Sequence, residues 1–180
     1  MTSNLTLLPV APEQAKLLSD LAKEIYIPHY PYLWDAGGVE WYIHEYAYPL
    51  EKIQAELNDP NNLHYIAYQN NEPVGYIKLN INTKTAGYQG AQVMELERIY
   101  IYQEGVQKGI GTQLMQFVIS VAKEKQKKEL ILKAMDSASQ ALRFYKKFGF
   151  QQVGTFTLPS SIFRLMKPEY RGMCILKLLL

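Results

Sequence analysis

The hydrophobic residues of the chain alternate between the spacing of a strand and the spacing of a helix. Runs rich in β-branched and aromatic residues predict strands, whereas apolar residues three and four positions apart predict the buried face of a helix. These patterns predict seven strands, at residues 5–10, 63–69, 73–81, 93–102, 130–135, 151–157 and 173–179. They predict helices at residues 12–26, 49–57, 138–148 and from about residue 108 onward.

Polar and glycine-rich segments divide these elements. Asn70-Asn71-Glu72 lies between two strand patterns and predicts a hairpin turn. Residues 27–46 form an aromatic segment that prolines and the Gly37-Gly38 pair break into short pieces. Within the strand at residues 93–102, the apolar alternation slips once in phase.

Composition predicts one domain that spans residues 1–180. The chain is 48% hydrophobic, which is enough for one sizeable core, and its net charge of +2 does not suggest nucleic-acid binding. A single cysteine, Cys174, excludes an internal disulfide framework and suits a reducing compartment. With no signal segment and no membrane-spanning run in the sequence, we expect a cytoplasmic protein.

The stretch at residues 92–115 is the first candidate for chemistry. It predicts a strand, a turn that contains glycines, and the first turns of a helix. Unpaired amide groups and the positive end of the helix dipole make such a helix start an anion site, suited to phosphate. The predicted phosphate-binding residues are Val106, Gln107, Lys108, Gly109, Ile110, Gly111 and Thr112.

Two common nucleotide motifs do not fit this turn. In the Walker loop a lysine follows the second glycine, but Lys108 precedes Gly109. The dinucleotide fingerprint needs a third glycine where Leu114 stands. The turn alone is therefore compatible with either a phosphate site or an ordinary strand-to-helix connection.

A second motif follows in the right order. After the next strand comes Ala141-Leu-Arg-Phe-Tyr145-Lys-Lys-Phe-Gly149-Phe150. Together with the Gly109-x-Gly111 turn, this pattern resembles the acyl-CoA-binding core of the GNAT N-acetyltransferases, closely over residues 92–156. The resemblance implies an α/β (α+β) fold with a mixed, mostly antiparallel sheet of about seven strands, flanked by helices and splayed at the central strand.

The resemblance implies acetyl transfer from acetyl-CoA to a primary amine, by direct attack in a ternary complex. It places Tyr145 as the proton donor to the leaving CoA sulfur, a role that a phenol of pKa about 10 can fill for a thiolate. It places the pantetheine arm of acetyl-CoA on the backbone of Ile99, Tyr100 and Ile101. Tyr145 is also a natural core residue in a chain with 14 tyrosines.

Glu97 is the predicted general base, because family members often have a glutamate on this strand. Glu95, two residues earlier, is the alternative base, and a water can relay the proton to either carboxylate. A structural role is equally open, in which one of these carboxylates pairs with Arg98 or a nearby lysine.

The chain departs from the family pattern at two cofactor-binding positions. Val106 stands where the family usually has glutamine or arginine, and Ala138 stands where it often has asparagine. Backbone amides and Lys108 can still serve the phosphates. Ser139 is a substitute contact for the missing asparagine, and Lys147 is a further candidate for a phosphate contact.

Acceptor choice is expected to lie outside the acetyl-CoA core, chiefly at residues 27–62 and 157–172. Aromatic rings and carboxylates together suit an organic cation, and we predict that His29, Tyr32, Trp34 and Glu97 contact the acceptor. The pattern at residues 48–62 resembles, more loosely, the bacterial polyamine N-acetyltransferases of the PaiA type.

Several alternatives remain open at this stage. The acceptor can instead be a protein lysine or N-terminus, and the fold can serve a non-catalytic CoA sensor. The histidines lack metal-ligand spacing, so no metal is expected. Pairing through sheet edges is common in the family, which makes a homodimer the default expectation.

Overall fold

The computed structural model describes residues 5–105 and 109–180. Seven strands form one sheet: β1 (Leu5–Pro9), β2 (Asn62–Gln69), β3 (Glu72–Asn80), β4 (Val93–Ile101), β5 (Glu129–Met135), β6 (Gln151–Thr157) and β7 (Gly172–Leu179). Five α-helices are described: α1 (Ala15–His29), α2 (Gly38–Trp41), α3 (Leu50–Asn58), α4 (Ile110–Glu124) and α5 (Ser139–Lys147). A π-helical turn, Tyr42–Ala47, continues directly from α2.

The sheet has the strand order β1-β2-β3-β4-β5-β7-β6. Neighbouring strands are antiparallel except for β4 and β5, which are parallel and joined through α4. The β2–β3 hairpin turns through Asn70 and Asn71, both of which have positive φ angles, as a two-residue hairpin turn requires. This arrangement confirms the mixed, mostly antiparallel sheet and the predicted fold class.

The two faces of the sheet carry separate hydrophobic clusters. On one face, α4 packs its apolar stripe on the centre of the sheet, through Leu114, Met115 and Val118. On the other face, α1, α3 and the aromatic segment pack around Tyr48 and Tyr76, which are fully buried. The sheet therefore separates the environment of α4 from that of α3.

A bulge in β4 explains the slip in hydrophobic phase. Arg98 lies opposite Lys78 of β3, but the next pair is Leu96 opposite Leu79, so Glu97 has no partner in the register. An extra residue of this kind bends a strand and changes the face to which the following side chains point. The bulge therefore leaves Glu97 outside the regular strand pairing, on the central strand of the sheet.

The sheet opens directly beyond this bulge. The parallel pairing of β4 and β5 ends at Leu96 and Leu132, although both strands continue, β4 to Ile101 and β5 to Met135. The predicted splay at the central strand is thus present, and it leaves a V-shaped gap between the ends of the two strands.

Two distant segments meet above this gap. Trp34 and Met166 form an isolated antiparallel bridge, and the Asp35 amide donates to the Leu165 carbonyl at 2.9 Å. In return, the Lys167 amide donates to the Leu33 carbonyl at 2.9 Å. The segments that were predicted to govern acceptor choice are therefore in contact.

Element boundaries differ from the prediction mainly at the first helix. It was expected to end at Tyr26, but α1 runs to His29 and includes Pro28. Pro28 has no amide to bond the Glu24 carbonyl, and its ring crowds that carbonyl, which fits the end of the helix one residue later. Within the described part of the chain, no helix is long and apolar enough to cross a membrane.

Candidate active site

A cavity of about 420 Å³ occupies the gap between β4 and β5. Its inner wall comes from the two strands, through Leu96, Leu132 and Ala134, and Tyr145 of α5 closes one side. Its outer wall is aromatic: Tyr30, Tyr42, Tyr46 and Phe163 come from the two acceptor segments, Tyr26 from α1 and Phe156 from β6. We call this the aromatic cavity.

Tyr145 is held in the aromatic cavity by neighbouring rings. Its ring centroid lies 5.5 Å from that of Phe144 and 5.9 Å from that of Phe150. Burial raises the pKa of the Tyr145 phenol to about 12. The hydroxyl therefore stays protonated at neutral pH, as a proton donor must.

Glu97 projects from the bulge of β4 into the aromatic cavity and is fixed by cations. Lys78 Nζ lies 2.8 Å from its Oε2, Asn80 Nδ2 donates to it at 2.8 Å, and Arg98 lies 3.4 Å from its Oε1. Burial alone would raise the pKa of Glu97, but the charges of Arg98 and Lys78 outweigh it and lower the pKa to about 2. The carboxylate is thus permanently ionised and binds a proton weakly.

Glu95, the alternative base, is buried and committed to other partners. Its Oε2 accepts a hydrogen bond from the Thr83 hydroxyl at 2.7 Å, and its Oε1 lies 2.8 Å from Lys133 Nζ. It lines a second, polar cavity of about 470 Å³, together with Glu56, Lys78 and Asn80. Glu97 and Lys133 line both cavities, so the two cavities adjoin.

The backbone of β4 beyond the bulge faces the gap. The Tyr102 amide donates to Val74 of β3, and groups on a strand alternate in direction, so Ile99 and Ile101 direct their amide and carbonyl groups away from β3. These amide and carbonyl groups therefore face the gap that opens where β5 diverges from β4. Tyr100, between them, points its peptide groups to β3 and its ring into the aromatic cavity.

His29 contacts this backbone and not the cavity wall. Its Nε2 donates to the Ile101 carbonyl oxygen at 2.9 Å, since a carbonyl can only accept. The structure thus places His29 at the strand edge where the pantetheine arm is predicted to bind, and its contact with the acceptor stays a prediction.

The start of α4 has the geometry predicted for an anion site. Gly109 is the N-cap and has φ +82°, a left-handed conformation that glycine adopts without strain. The first hydrogen bond of the helix runs from the Gln113 amide to the Gly109 carbonyl, so the amides of Ile110, Gly111 and Thr112 point beyond the helix end. The predicted contacts Val106, Gln107 and Lys108 lie outside the described residues.

The start of α5 faces the same gap. Ala138 is the N-cap of α5 and lines the aromatic cavity, whereas Ser139 and Lys147 are exposed at the first and last positions of the helix. An added Cβ at Gly111 would lie 3.6 Å from the Phe144 ring, which shows how closely the start of α4 packs on α5.

The two remaining predicted acceptor residues occupy different positions. Tyr32 is about half exposed and lines the mouth of the aromatic cavity. Trp34 is 4% exposed, and its indole donates to the Tyr26 hydroxyl at 3.0 Å, so it supports the cavity wall from behind. The sequence pattern did not single out Tyr26, Tyr46 or Lys52, which also line the cavity, and it predicted a role only for the backbone of Tyr100, whose ring lines the cavity as well.

The polar network behind the cavity was only partly foreseen. One hypothesis was that Glu97 forms an ion pair with Arg98 or with a nearby lysine, and in the structure it pairs with both Arg98 and Lys78. The role of Glu56 was missed, because its partners Lys78 and Arg98 lie on β3 and β4, far from it in sequence. In residues 5–105 and 109–180, no group of three or more potential metal ligands is found.

A sheet split between two parallel strands, with a helix N-terminus at one face and a partly buried tyrosine beside the split, is the architecture of a coenzyme A-dependent N-acyltransferase. The family comparison agrees with this class. The model of the acetyltransferase (GNAT) family matches residues 22–150, and the chain belongs to that family. The resemblance inferred from the sequence is confirmed.

Individual relatives are more distant. An uncharacterized N-acetyltransferase in the pepI 3′ region of Lactobacillus delbrueckii subsp. lactis is 27% identical over 99 residues, which are 55% of this chain and 57% of that protein. The chain thus spans less than two thirds of the length of this curated relative.

Two solved structures share the fold over nearly the whole chain. The PaiA N-acetyltransferase of Thermoplasma acidophilum in complex with coenzyme A has a TM-score of 0.74 and 22% identity, covering 98% of this chain and 99% of that one. A GNAT acetyltransferase of Elizabethkingia anophelis with acetyl-CoA bound has a TM-score of 0.65 and 21% identity, covering 98% and 99%.

Proposed function

We propose that this protein transfers the acetyl group of acetyl-CoA to the primary amine of a small molecule bound in the aromatic cavity. The observation that carries the proposal is the opening of the sheet: one gap brings together the free edge of β4, the ionised Glu97 and the protonated Tyr145. Membership in the GNAT family and the start of α4 support acetyl-CoA as the donor.

The reaction needs a neutral amine, an aligned thioester and a proton for the leaving sulfur. The amine nitrogen forms a bond to the acetyl carbonyl carbon and loses a proton to water. The carbon–sulfur bond breaks, the thiolate takes a proton from Tyr145, and Tyr145 regains a proton from water. Amides of Ile99 and Ile101 are the donors that face the thioester side of the gap, where they would hold the acetyl oxygen as negative charge develops.

Glu97 was predicted to be the base, and its environment refines that role. A carboxylate with a pKa of about 2 accepts a proton poorly at neutral pH. We therefore assign Glu97 to orient the amine, or a water beside it, while the proton leaves through water. Cys174 is buried in β7, and no covalent route through it is proposed.

The acceptor class follows from the cavity only in part. Aromatic walls around a carboxylate suit an amine, and a polyamine stays the acceptor predicted from the sequence. A protein acceptor is the second candidate, because the fold is shared with a ribosomal-protein-alanine N-acetyltransferase of Brucella melitensis at a TM-score of 0.70. A cytoplasmic location and a homodimer stay predictions from the sequence.

The first experiment is to measure free-thiol release from acetyl-CoA with a panel of amines. The panel contains spermidine, spermine, lysine, amino sugars and short peptides. Saturable release with any small amine supports the proposal, and mass spectrometry of the product locates the acetyl group. Release with peptides alone transfers the function to a protein acceptor, and no release from protein that binds CoA indicates a sensor.

A further inference from the structure

Six charged side chains form a network behind the aromatic cavity and the polar cavity, in which the Asn80 amide joins Glu95 to Glu97. Glu56 of α3 lies 2.9 Å from Lys78 and 3.2 Å from Arg98. Glu97 contacts the same two cations, and Glu95 pairs with Lys133. Three carboxylates thus balance three cations. At the outer edge of the polar cavity, Lys84 pairs with Asp59 at 4.0 Å, separately from this network.

Lys52 adds a fourth cation without a carboxylate of its own. It lies one helical turn before Glu56 on α3 and lines the aromatic cavity, where it is half-buried. Its Nζ donates to the Tyr46 carbonyl at 2.5 Å and lies 4.8 Å from the centroid of the Tyr46 ring. Within residues 5–105 and 109–180, no ion pair of Lys52 with a carboxylate is found.

The charged side chains that line the aromatic cavity are three cations, Lys52, Arg98 and Lys133, and one carboxylate, Glu97. Burial lowers the pKa of the Lys52 ammonium group, and the charges around it oppose one another: Arg98 and Lys78 lower this pKa, whereas Glu56 and Glu97 raise it. A half-buried cation that has only a carbonyl and a ring face as partners is stabilised by an incoming anion. The side of the aromatic cavity at Lys52 is therefore suited to a negatively charged group, beside the carboxylate of Glu97.

The phosphates of acetyl-CoA do not fit this position. Lys52 is on α3, which packs on the sheet face that carries Tyr48 and Tyr76. The helix N-terminus suited to phosphate belongs to α4, on the opposite face. An anion at Lys52 must therefore arrive with the acceptor.

We infer that Lys52 binds a carboxylate of the acceptor, so that the substrate is an amino acid or another small amine that carries a carboxylate. This inference rests on the proposed function and narrows its acceptor class. A polyamine would bring two or more positive charges into a site that already has a surplus cation, whereas an amine with one carboxylate would neutralise that surplus.

Matched pairs of amines test the inference, because each pair differs only in the carboxylate. The pairs are lysine with 1,5-diaminopentane and phenylalanine with phenethylamine. Binding to the CoA-loaded protein is measured by calorimetry, followed by kcat/KM from thiol release. We expect the carboxylate-bearing member of at least one pair to bind about tenfold more tightly or better, as a charge-assisted hydrogen bond provides.

Variants assign that preference to Lys52. Lys52→Met keeps the length of the side chain and should abolish the preference for the carboxylate, whereas Lys52→Arg should retain it. Lys16→Met, which removes an exposed lysine paired with Asp20 on α1, is the control and should retain it as well. A purely structural effect of Lys52→Met would weaken both members of a pair equally.

Three results would overturn the inference: equal binding of both members, a preference for the decarboxylated amine, or an unchanged preference in Lys52→Met. Failure of every amine to bind would overturn it as well. The proposed function fails by a different result, in which carboxylate-bearing amines bind in a Lys52-dependent way but no thiol is released.

Discussion

Tyr145 combines two properties that a proton donor needs, since it lines the aromatic cavity beside the gap and keeps its proton at neutral pH. Tyr145→Phe should therefore lower kcat about 100-fold, within the range expected when a general acid is removed. Binding of acetyl-CoA should change little, because the ring remains. Thiol-release kinetics and a CoA titration measure the two effects separately.

Tyr65→Phe is the matched control for this variant. Tyr65 packs against Phe117 at 4.9 Å between ring centroids and does not line the aromatic cavity. Loss of its hydroxyl should leave kcat unchanged. Equal turnover of Tyr145→Phe and the wild-type protein would remove Tyr145 from the mechanism.

Glu97 is ionised across the whole working range of pH. The value of kcat/KM should therefore rise with pH as the acceptor amine loses its proton, without an inflection from Glu97 between about pH 4 and 7. Glu97→Gln keeps the shape of the side chain and should lower kcat/KM about tenfold or more while leaving that profile unchanged. An inflection that appears in the wild-type profile and disappears in Glu97→Gln would instead identify Glu97 as the titrating base.

Helix α4 should bind the phosphates of acetyl-CoA through its first turn. Gly109→Val introduces a β-branched residue at φ +82°, which should distort this turn and weaken CoA binding about tenfold or more. Equilibrium titration with CoA measures the loss.

Gly87→Val is the control for Gly109→Val, because it introduces the same backbone strain away from α4. Gly87, in the loop before β4, has the same φ of +82° and likewise has no atom within 4 Å of an added Cβ. Gly87→Val should reduce stability to a similar degree without changing CoA affinity. A similar loss of affinity in both variants would refute the assignment of α4 as the phosphate site.

The elements of the fold were largely predictable because each has a local cause. The period of the apolar residues marked every strand, and Asn70-Asn71 fixed the first hairpin. The slip in phase at β4 was visible in the sequence, but its meaning was not, since a bulge is defined by the opposing strand. The position of Glu97 on its strand was therefore predictable from the sequence, whereas its hydrogen-bond and ion-pair partners were not.

The contacts of the site depend on residues that are far apart in sequence. Glu56 and Arg98, 42 positions apart, meet only when α3 packs on the sheet. Trp34 and Tyr32 are two residues apart, yet one supports the wall from behind and the other lies at the mouth. The sequence motif predicted that Tyr145 lies near the reacting groups. The period of the apolar residues could not distinguish residues that line the aromatic cavity from residues that pack behind its wall.

At the scale of the whole molecule, the buried charge network should make stability depend on pH. His64 is buried 3.6 Å from Glu56, and burial lowers its pKa from 6.5 to about 4. The unfolded chain therefore binds a proton at His64 at a higher pH than the folded chain does. The free energy of unfolding should fall by up to about 3 kcal/mol as the pH drops from about 6.5 to 4.

Urea denaturation between pH 4 and 8 measures this loss. His64→Gln should flatten the dependence on pH, whereas His44→Gln, which changes an exposed histidine, should leave it as in the wild-type protein. Parallel pH dependences for His64→Gln and the wild type would show that His64 does not contribute. Below about pH 4.5, protonation of Glu97 should remove further stability, because its folded pKa is also depressed.

The bridge between Trp34 and Met166 has a consequence for changing the acceptor by engineering. Trp34 and Met166 are 132 positions apart in sequence, and backbone hydrogen bonds join the two segments of chain around them above the cavity. Grafting only one of these segments from a homologue would leave its hydrogen-bonding partners in the other segment mismatched. A chimera should therefore acquire a new substrate preference only when both segments are replaced together.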